Sequence, residues 1–344
     1  MNLNNYYNLN PFSLEKKEKD IFFKKILNEL TLHHKKNSKE YKNFLNHYFK
    51  NTDSKKISDI PFLPASIFKE LDLFSISKNK IFKVLKSSGT SSTNISKIFL
   101  DKNNAERQVK ILKKIVEKIL GKTRMPMLIV DMNPLNHDRT SFNARKAAIY
   151  GFSIFGKNQT FLLNEKSEID YEILNKFLKK YGKKKFFIFG FTSFVYENLF
   201  KKISMNKLSS NFRNGILLHG GGWKKMEKAK VSKNIFKKNL KKKLKINDVI
   251  NYYGMIEQTG SIFIECQHTN CFVASIFSDV IIRDKNFNVL QDGKKGIVQL
   301  LSVLPTSYPG HSILTEDQGK IIDVKNCKCG LKGKHFILYG RLKE

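Results

Sequence analysis

The chain has 344 residues, of which 41% are hydrophobic and 12% aromatic. A chain of this length and composition can bury a sizeable core, which excludes a single small module and a mainly disordered protein. The 63 basic and 30 acidic residues give a formal net charge of +33, a balance that ordinarily indicates a nucleic acid or an anionic surface as partner.

The positive charge is nearly all lysine, since arginine occurs at only seven positions. Lysine is accompanied by abundant Asn, Ile and Phe and by little Ala, which is the bias of an A/T-rich genome. Proteins that read nucleic acids rely on arginine for bidentate contacts, whereas scattered lysines mostly form a solvated surface. We therefore expect no specific nucleic-acid partner, and only weak non-specific adsorption at low salt.

Two further features concern the compartment. No stretch approaches the ~18–20 uncharged apolar residues of a membrane span, and the first residues lack the basic and apolar regions of a secretory leader. The cysteines, at positions 266, 271, 327 and 329, all lie in the last quarter of the chain, unlike a disulfide framework spread over a secreted protein. We therefore predict a cytoplasmic protein without a membrane span.

The first part of the chain, residues 1–60, is predicted to be helical, because apolar residues recur at helical spacing. From about 81 to 260, short β-branched and aromatic runs alternate with longer amphipathic stretches, which predicts an α/β fold with a largely parallel sheet. The predicted strands are 81–85, 96–100, 127–131, 186–189, 216–219 and 249–253, and the predicted helices are 102–120, 140–150, 168–181, 191–203 and 224–243.

After Gly260 the helical pattern ends, and short strands separated by turns take over. They are predicted at 262–265, 280–283, 297–301, 320–324 and 335–339. We therefore divide the chain into a helical N-terminal segment (1–60), an α/β body (61–260) and a smaller β-rich subdomain (261–344).

A loop rich in hydroxyl groups separates the first two predicted strands, with the sequence Lys86-Ser-Ser-Gly-Thr-Ser-Ser-Thr-Asn-Ile-Ser-Lys97. Backbone N–H groups and hydroxyls of such a loop bind phosphate oxygens, and a lysine at its end adds a positive charge. The spacing is not that of a Walker A loop, and a solvated serine-rich turn has the same composition. The loop therefore needs partner motifs before a function can be assigned to it.

Four partner motifs follow in the sequence. His-Gly-Gly-Gly (219–222) comes after an apolar strand, where the missing side chains let a planar base approach the backbone. Tyr-Tyr-Gly-Met-Ile-Glu-Gln-Thr-Gly (252–260) brings one carboxylate beside aromatic rings at a strand end. Thr-Glu-Asp-Gln-Gly (315–319) precedes a predicted strand, and Gly-Arg (340–341) lies near the end. A turn, a strand end, a charged hairpin and a terminal basic residue explain each motif alone, but not their joint occurrence.

In this order, Ser-Ser-Gly-Thr-Ser (87–91), Tyr-Gly-Met-Ile-Glu-Gln-Thr-Gly (253–260), Thr-Glu-Asp (315–317) and Gly-Arg (340–341) resemble the core motifs of the adenylate-forming enzymes. Within that superfamily the chain is most similar to the acyl-protein synthetase (LuxE) family, with the phenylacetate–coenzyme A ligases as cousins. The LuxE-like features are the continuation of the serine loop into Ser96-Lys97-Ile98, the Glu257-Gln258-Thr259-Gly260 run, and Phe-Asn-Ala-Arg-Lys-Ala-Ala-Ile-Tyr-Gly at 142–151. The resemblance covers residues 60–341, approximately.

The resemblance implies a role for each matching position. Glu257 would help to hold Mg²⁺, Asp317 would accept the ribose hydroxyls of ATP, and Arg341 would lie at a hinge. The residues implied to hold the β- and γ-phosphates are Ser87, Ser88, Gly89, Thr90 and Ser91, with Lys97 close by. Gly220, Gly221 and Gly222 would border the adenine, Tyr253 would stack near it, and Gly254 is a further expected cofactor-binding position. The catalytic residues would be Glu257, Lys97 and Thr90. A metal and a preorganised phosphate loop would mask the repulsion between a carboxylate and the triphosphate that it attacks.

Two family features are missing from the sequence. LuxE-like enzymes carry, very near the C-terminus, a cysteine that takes the acyl group from the adenylate, whereas no cysteine follows Cys329 here. The superfamily also has a C-terminal lid domain with a catalytic lysine, and little sequence follows Arg341. The expected fold is therefore the N-terminal-domain type of an adenylate-forming enzyme with a β-rich C-terminal subdomain and without the lid.

The cysteines permit three interpretations. They are free thiols, or one of them is a reactive acyl acceptor, or they hold a structural Zn²⁺. Zinc would be bound by four thiolates, those of Cys266, Cys271, Cys327 and Cys329, or by three thiolates and one imidazole, since His268 and His335 are nearby in sequence.

The predicted function is the ATP-dependent activation of a carboxylic acid as an acyl adenylate, and the resemblance implies a fatty acid as that substrate. The acyl group would pass to a thiol of a partner protein, a reductase or a carrier. An acyl-coenzyme A ligase would share every motif and differ only in the acceptor. A third alternative, from another class, is a non-catalytic lysine-rich binding protein on an adenylating scaffold.

Overall fold

The computed structural model describes residues 3–87, 95–133, 144–324 and 327–342. The chain divides into two units, the first made of Met1–Ile115 and Gly254–Glu344 and the second of Val116–Tyr253. This division differs from the predicted boundaries after residues 60 and 260, because the N-terminal helices and the β-rich C-terminal part belong to one unit. None of the helices within the described ranges is long and apolar enough to cross a membrane.

The elements are numbered in chain order. The helices are α1 Leu3–Tyr6, α2 Lys16–Asn37, α3 Lys39–Tyr48, α4 Ile67–Glu70, α5 Lys102–Leu120, α6 Ala144–Ser153, α7 Tyr171–Tyr181, α8 Thr192–Phe194, which continues as a π-helix over Val195–Lys202, and α9 Lys233–Leu244. The strands are β1 Leu63–Pro64, β2 Lys83–Lys86, β3 Lys97–Leu100, β4 Met125–Met132, β5 Gly156–Leu163, β6 Phe186–Phe191, β7 Gly215–Gly220, β8 Asp248–Tyr253, β9 Phe263–Glu265, β10 Phe272–Val273, β11 Ser278–Arg283, β12 Gly296–Ser302, β13 Ser312–Ile322 and β14 His335–Arg341.

The second unit contains a parallel sheet in the order β5-β4-β6-β7-β8. Strand β6 is apolar throughout and buried on both faces, as expected of a central parallel strand covered by helices. On one face Phe186 and Ile188 pack with side chains of α7 and α9, and on the other the Phe189 ring stacks on Phe152 of α6 at 4.5 Å. The predicted α/β fold with a largely parallel sheet is confirmed in this unit.

The first unit is mainly antiparallel, with strands in the order β11-β12-β13-β14-β10-β9 and with β1 parallel to β13. Strands β2 and β3 form a separate antiparallel hairpin. The N-terminal helices join this unit through buried polar contacts. Lys19 of α2 lies 3.7 Å from the buried Asp279 carboxylate of β11, and the Tyr7 hydroxyl donates to the Val303 carbonyl over 2.8 Å.

The structure adds one strand to the predicted elements and corrects two predicted boundaries. Strand β5 was not predicted, because its exposed residues Lys157, Asn158 and Gln159 are polar, as an edge strand permits. Strand β13 begins at Ser312 instead of 320, so the Thr-Glu-Asp motif lies inside a strand and not before one. The helix predicted over 224–243 begins only at Lys233, where the Ser232 hydroxyl accepts the Ile235 N–H over 3.3 Å as an N-cap.

The 252–260 motif ends at Gly260, which packs closely against the backbone of helix α5. Gly260 has a φ of +83°, and a Cβ there would lie 2.6 Å from the carbonyl oxygen of Gln108. We expect Gly260→Ala to lower the free energy of unfolding by about 2–4 kcal/mol, since backbone strain and a clash with the helix backbone add. Gly293→Ala is the matched control, because Gly293 has a φ of +85° with nothing within 4 Å. It should cost only the strain of about 1–2 kcal/mol in urea unfolding, and equal losses for both variants would contradict the packing.

Candidate active site

The serine-rich loop is carried by the β2–β3 hairpin. Lys86 and Lys97 lie opposite each other in its register. The Ser87 N–H donates to the Ser96 carbonyl over 3.0 Å, and the Ser96 N–H donates to Ser87 Oγ over 2.9 Å. These two hydrogen bonds close the base of the loop. The predicted phosphate-binding residues Ser88, Gly89, Thr90 and Ser91 lie outside the described residues.

Lys97 makes an exposed ion pair at the base of this loop. Its Nζ lies 3.1 Å from a carboxylate oxygen of Asp72, and the two side chains are 42% and 54% exposed. Pairs of this kind contribute at most about 1 kcal/mol, because water and salt screen them. The catalytic role of Lys97 stays a prediction.

Glu257 is the buried carboxylate of the site, only 7% exposed in the turn Ile256–Gln258. Burial raises its pKa above the ordinary value, whereas a hydrogen bond with the Ser96 side chain and the positive charge of Lys69 act in the opposite direction. The carboxyl group therefore lies against the base of the serine loop. Burial makes the ionised form of a carboxyl group unfavourable, and a nearby cation stabilises that form.

The backbone around Glu257 is fixed by its neighbours. The Gln258 side-chain amide donates to the carbonyls of Leu300 and Gly310 over 3.1 and 2.9 Å, and the Tyr308 hydroxyl donates to the Glu257 carbonyl over 2.9 Å. A Cβ on Gly310 would lie 2.6 Å from that same carbonyl, so this position has room only for glycine. These contacts could not be predicted from the sequence near 300–310, because they join segments that are distant in sequence.

Strands β13 and β14 bring Asp317 and Arg341 together, since the two residues pair in the register. The Asp317 N–H donates to Thr315 Oγ1 over 3.1 Å, and the Thr315 hydroxyl donates to the Val298 carbonyl of β12 over 2.8 Å. The Thr-Glu-Asp motif therefore has a defined backbone position within the sheet.

Glu316, the residue before Asp317, lies near two basic side chains. The Glu316 carboxylate lies 3.9 Å from Nζ of Lys69 on α4 and 3.9 Å from the Arg341 guanidinium. The structure thus brings together Glu257, Asp317 and Arg341, which were predicted, with Lys69 and Glu316, which were not assigned a role. Lys69 was missed because its helix is short and carries no motif.

The glycine motif and Tyr253 meet in the second unit. Gly220 ends β7 and pairs with Tyr252 of the neighbouring strand β8, which ends at Tyr253. A Cβ on Gly220 would lie 2.4 Å from the Tyr252 ring, and Gly221 has a φ of +77°. Gly221 and Gly222 are exposed. The carboxyl ends of adjacent parallel strands are where open α/β sheets bind ligands. The position of the adenine at Gly220, Gly221 and Gly222 stays a prediction.

Two further contacts stabilise these strand ends. The Thr192 hydroxyl lies 2.9 Å from His219 Nδ1 and 3.1 Å from the Gly220 carbonyl. Burial, together with the charges of Lys237 and Lys233, lowers the pKa of His219 to about 3, so the ring is neutral.

The LuxE-like run 142–151 contains a further ion pair. The Arg145 guanidinium lies 3.0 Å from the buried Asp131 carboxylate.

The cysteines form a cluster that differs from the predicted four-thiolate set. Ligand atoms of Cys266, Cys327, Cys329 and His335 all lie within 4.8 Å of one another. Cys271 does not belong to this group, and its Sγ lies 3.5 Å from the Thr269 carbonyl oxygen. The arrangement corresponds to the alternative of three thiolates and one imidazole.

The sequence matches the family model described as "Acyl-protein synthetase, LuxE" over residues 4–344. The chain belongs to the LuxE acyl-protein synthetase family. It is therefore an adenylate-forming ligase, and the predicted resemblance is confirmed. A curated relative, the long-chain-fatty-acid–luciferin-component ligase of Aliivibrio fischeri, is 22% identical over 317 residues, which cover 88% of this chain and 79% of the relative. Family membership supports acid activation and acyl transfer as the activity.

Solved structures show the same fold. The chain is similar to a 2-hydroxyisobutyryl-CoA ligase in complex with 2-HIB-AMP and CoA, with a TM-score of 0.75 and 13% identity, over 96% of this chain and 71% of that one. It is also similar to ATP-bound MatB from Rhodopseudomonas palustris, with a TM-score of 0.51 and 13% identity, over 78% of this chain and 49% of MatB. These likenesses confirm the predicted fold class, that of the adenylate-forming enzymes, and the family and fold support ATP as co-substrate.

The burial of Glu257 predicts a pH-dependent difference in stability between the protein and its Glu257→Gln variant. A carboxyl whose pKa is raised by folding contributes most to stability when protonated, and this contribution is lost as the pH rises through the folded-state pKa. Glutamine does not titrate, so the free energy of unfolding of Glu257→Gln should rise relative to that of the wild type between about pH 4 and pH 8. Urea unfolding across this range measures the difference. Glu106→Gln, at an exposed position, is the control, and a difference independent of pH for Glu257→Gln would contradict the burial.

Proposed function

We propose that this protein activates a fatty acid with ATP and Mg²⁺ and transfers the acyl group to a thiol of a partner protein. The observation that carries the proposal is the buried carboxyl group of Glu257 at the base of the serine loop. Membership of the LuxE family and the name of the relative from Aliivibrio fischeri support a fatty acid as substrate.

The residues present fit Mg²⁺ and ATP. Protein sites for Mg²⁺ usually offer one or two carboxylates and take the remaining ligands from substrate phosphates and water. Glu257 is such a carboxylate, and its burial leaves an electrostatic cost that a cation would offset. The bound metal would reduce the charge of the triphosphate that a second anion has to approach.

Asp317 is proposed to accept the ribose hydroxyls. Its place in the β13–β14 ladder, opposite Arg341, fixes the backbone position from which the carboxylate extends. Gly220, Gly221 and Gly222 are proposed to border the adenine beside Tyr253, because a side chain at Gly220 would collide with a buried ring. Lys97, together with the serine loop, is proposed to lie near the β- and γ-phosphates.

The proposed reaction has two steps. A carboxylate oxygen of the acid attacks the α-phosphorus of ATP, the bond to the β-phosphate oxygen breaks, and pyrophosphate leaves. The sulfur of an acceptor thiol then attacks the acyl carbon, the bond to AMP breaks, and the thiol proton passes to solvent. Lys69 and Arg341, which both lie 3.9 Å from Glu316, provide positive charge on this face of the first unit.

Coenzyme A is the alternative acceptor. The likeness to the 2-hydroxyisobutyryl-CoA ligase, whose structure holds CoA, favours it, whereas the family favours a protein acceptor. Both alternatives share the first step, so the two are distinguished by adding either coenzyme A or a thiol-bearing reductase or carrier after the adenylate has formed.

The first step is tested by exchange of labelled pyrophosphate into ATP, with a panel of carboxylic acids of increasing chain length. We expect exchange that requires Mg²⁺ and is strongest with long chains, and we expect Glu257→Gln to reduce it by about 10²-fold or more. Glu106→Gln serves as the matched control and should exchange like the wild type. Undiminished Mg²⁺-dependent exchange in Glu257→Gln would refute the assigned role of this carboxylate, and ATP binding without exchange for any acid would favour the non-catalytic alternative.

A further inference from the structure

Four potential metal ligands converge in the first unit, at the end of β14 opposite to Arg341. The sulfurs of Cys266, Cys327 and Cys329 and a ring nitrogen of His335 lie within 4.8 Å of one another, and the Cys266 and Cys327 sulfurs are 3.5 Å apart. Cys266 is 1% and His335 4% exposed. None of these side chains has a part in the proposed reaction.

The sheet explains why residues so distant in sequence meet. Cys266 follows β9, whose partner β10 pairs on its other side with β14. In the β10–β14 ladder Val273 lies opposite His335, the first residue of β14. Backbone pairing in the sheet therefore places the β9–β10 hairpin beside the start of β14.

The segment that supplies the other two sulfurs is a tight turn, Cys327-Lys-Cys329-Gly330. The Gly330 N–H donates to the Cys327 carbonyl over 3.2 Å, and Gly330 has a φ of +67°. The Leu331 N–H donates to Cys329 Sγ over 3.4 Å. This hydrogen bond fixes the position of the Cys329 sulfur within the turn.

His335 is oriented as a ligand. Its Nδ1 lies 3.0 Å from the Gly333 carbonyl oxygen, which only accepts hydrogen bonds, so Nδ1 carries the proton. The lone pair is then on Nε2, which is buried and has no hydrogen-bond partner within the part of the chain that the structure describes. Metal-binding histidines are commonly oriented in this way, by a carbonyl that accepts from the other ring nitrogen.

We propose that Cys266, Cys327, Cys329 and His335 bind one Zn²⁺ in a tetrahedral site. Zn–S bonds of about 2.3 Å place sulfurs about 3.8 Å apart around a tetrahedral ion. The Cys266 and Cys327 sulfurs, 3.5 Å apart, are close to this separation, and all four ligand atoms lie within 4.8 Å of one another. On binding, each of the three thiols gives its proton to solvent while the imidazole stays neutral. A donor set of three sulfurs and one nitrogen selects Zn²⁺ over Mg²⁺ and Ca²⁺, which require oxygen.

The site is structural, because four protein ligands leave no open position for a substrate. It joins the β9–β10 hairpin, the 327–330 turn and the first residue of β14. This proposal does not depend on the proposed catalytic reaction, since zinc content is measured without any substrate.

The test is the metal content of the purified full-length chain, expressed in medium that contains zinc. We expect about one Zn²⁺ per chain in the wild type and less than about a tenth of that in Cys327→Ser, Cys329→Ser and His335→Ala. The chain provides two matched controls outside the cluster, Cys271→Ser and His268→Ala, which should keep their zinc. A wild type without zinc, or equal loss in Cys271→Ser and Cys327→Ser, would overturn the proposal.

Two measurements on the wild type make the test independent of whether the variants fold. X-ray absorption at the zinc edge should give three sulfurs at about 2.3 Å and one nitrogen at about 2.0–2.1 Å, and a shell of four sulfurs or of oxygens would refute the ligand set. Thiol counting in denaturant with a chelator should find four free thiols. A count of two would show a disulfide that uses at least one cluster cysteine and would refute the site.

Discussion

The carboxyl group of Glu257 is buried, so its ionised form is unfavourable, and contacts with neighbouring segments fix the turn that bears it. Gln258 and Tyr308 supply the hydrogen bonds that fix the turn, and Gly310 leaves room for the Glu257 carbonyl. Each of these contacts reaches the segment between β12 and β13. The position of the buried carboxylate therefore depends on the β-rich part of the first unit and not on the local motif alone.

The same strands carry the other charged groups. Strand β13 bears Glu316 and Asp317, and its partner β14 ends at Arg341. Strand β14 begins at His335, so the proposed zinc ion would anchor one end of the strand whose other end lies opposite Asp317. A metal site with no contact to substrate can in this way stabilise the strand opposite Asp317, the residue proposed to bind the ribose.

The sequence predicted what is local and periodic. The apolar runs that became β4, β6 and β7 are buried on both faces, and this strong pattern was sufficient to predict a parallel sheet. The short motifs also placed Glu257 and Asp317 among the candidates. Strand β5 was missed because its first residues are polar at an exposed edge, a pattern that resembles a loop.

Contacts between distant segments were not predictable from the sequence. Lys69 lies in a four-residue helix, and only the fold brings its charge near Glu257. The cysteine spacings likewise did not show that β10 pairs with β14. That pairing places His335 beside Cys266, whereas Cys271 bonds to its own turn. The resemblance to a family supplied expected roles for single residues, and the structure supplied the neighbours of those residues.

The most direct test of the central claim, that the carboxylic acid is activated as an acyl adenylate, uses a long-chain fatty acid labelled with ¹⁸O in its carboxylate. After a single turnover with ATP and Mg²⁺ and quenching with a thiol, mass spectrometry follows the label. We predict one ¹⁸O in AMP, because the carboxylate oxygen that attacks the α-phosphorus stays with it when the acyl group is transferred. Label in inorganic phosphate, or AMP formed without label, would contradict activation through an acyl adenylate.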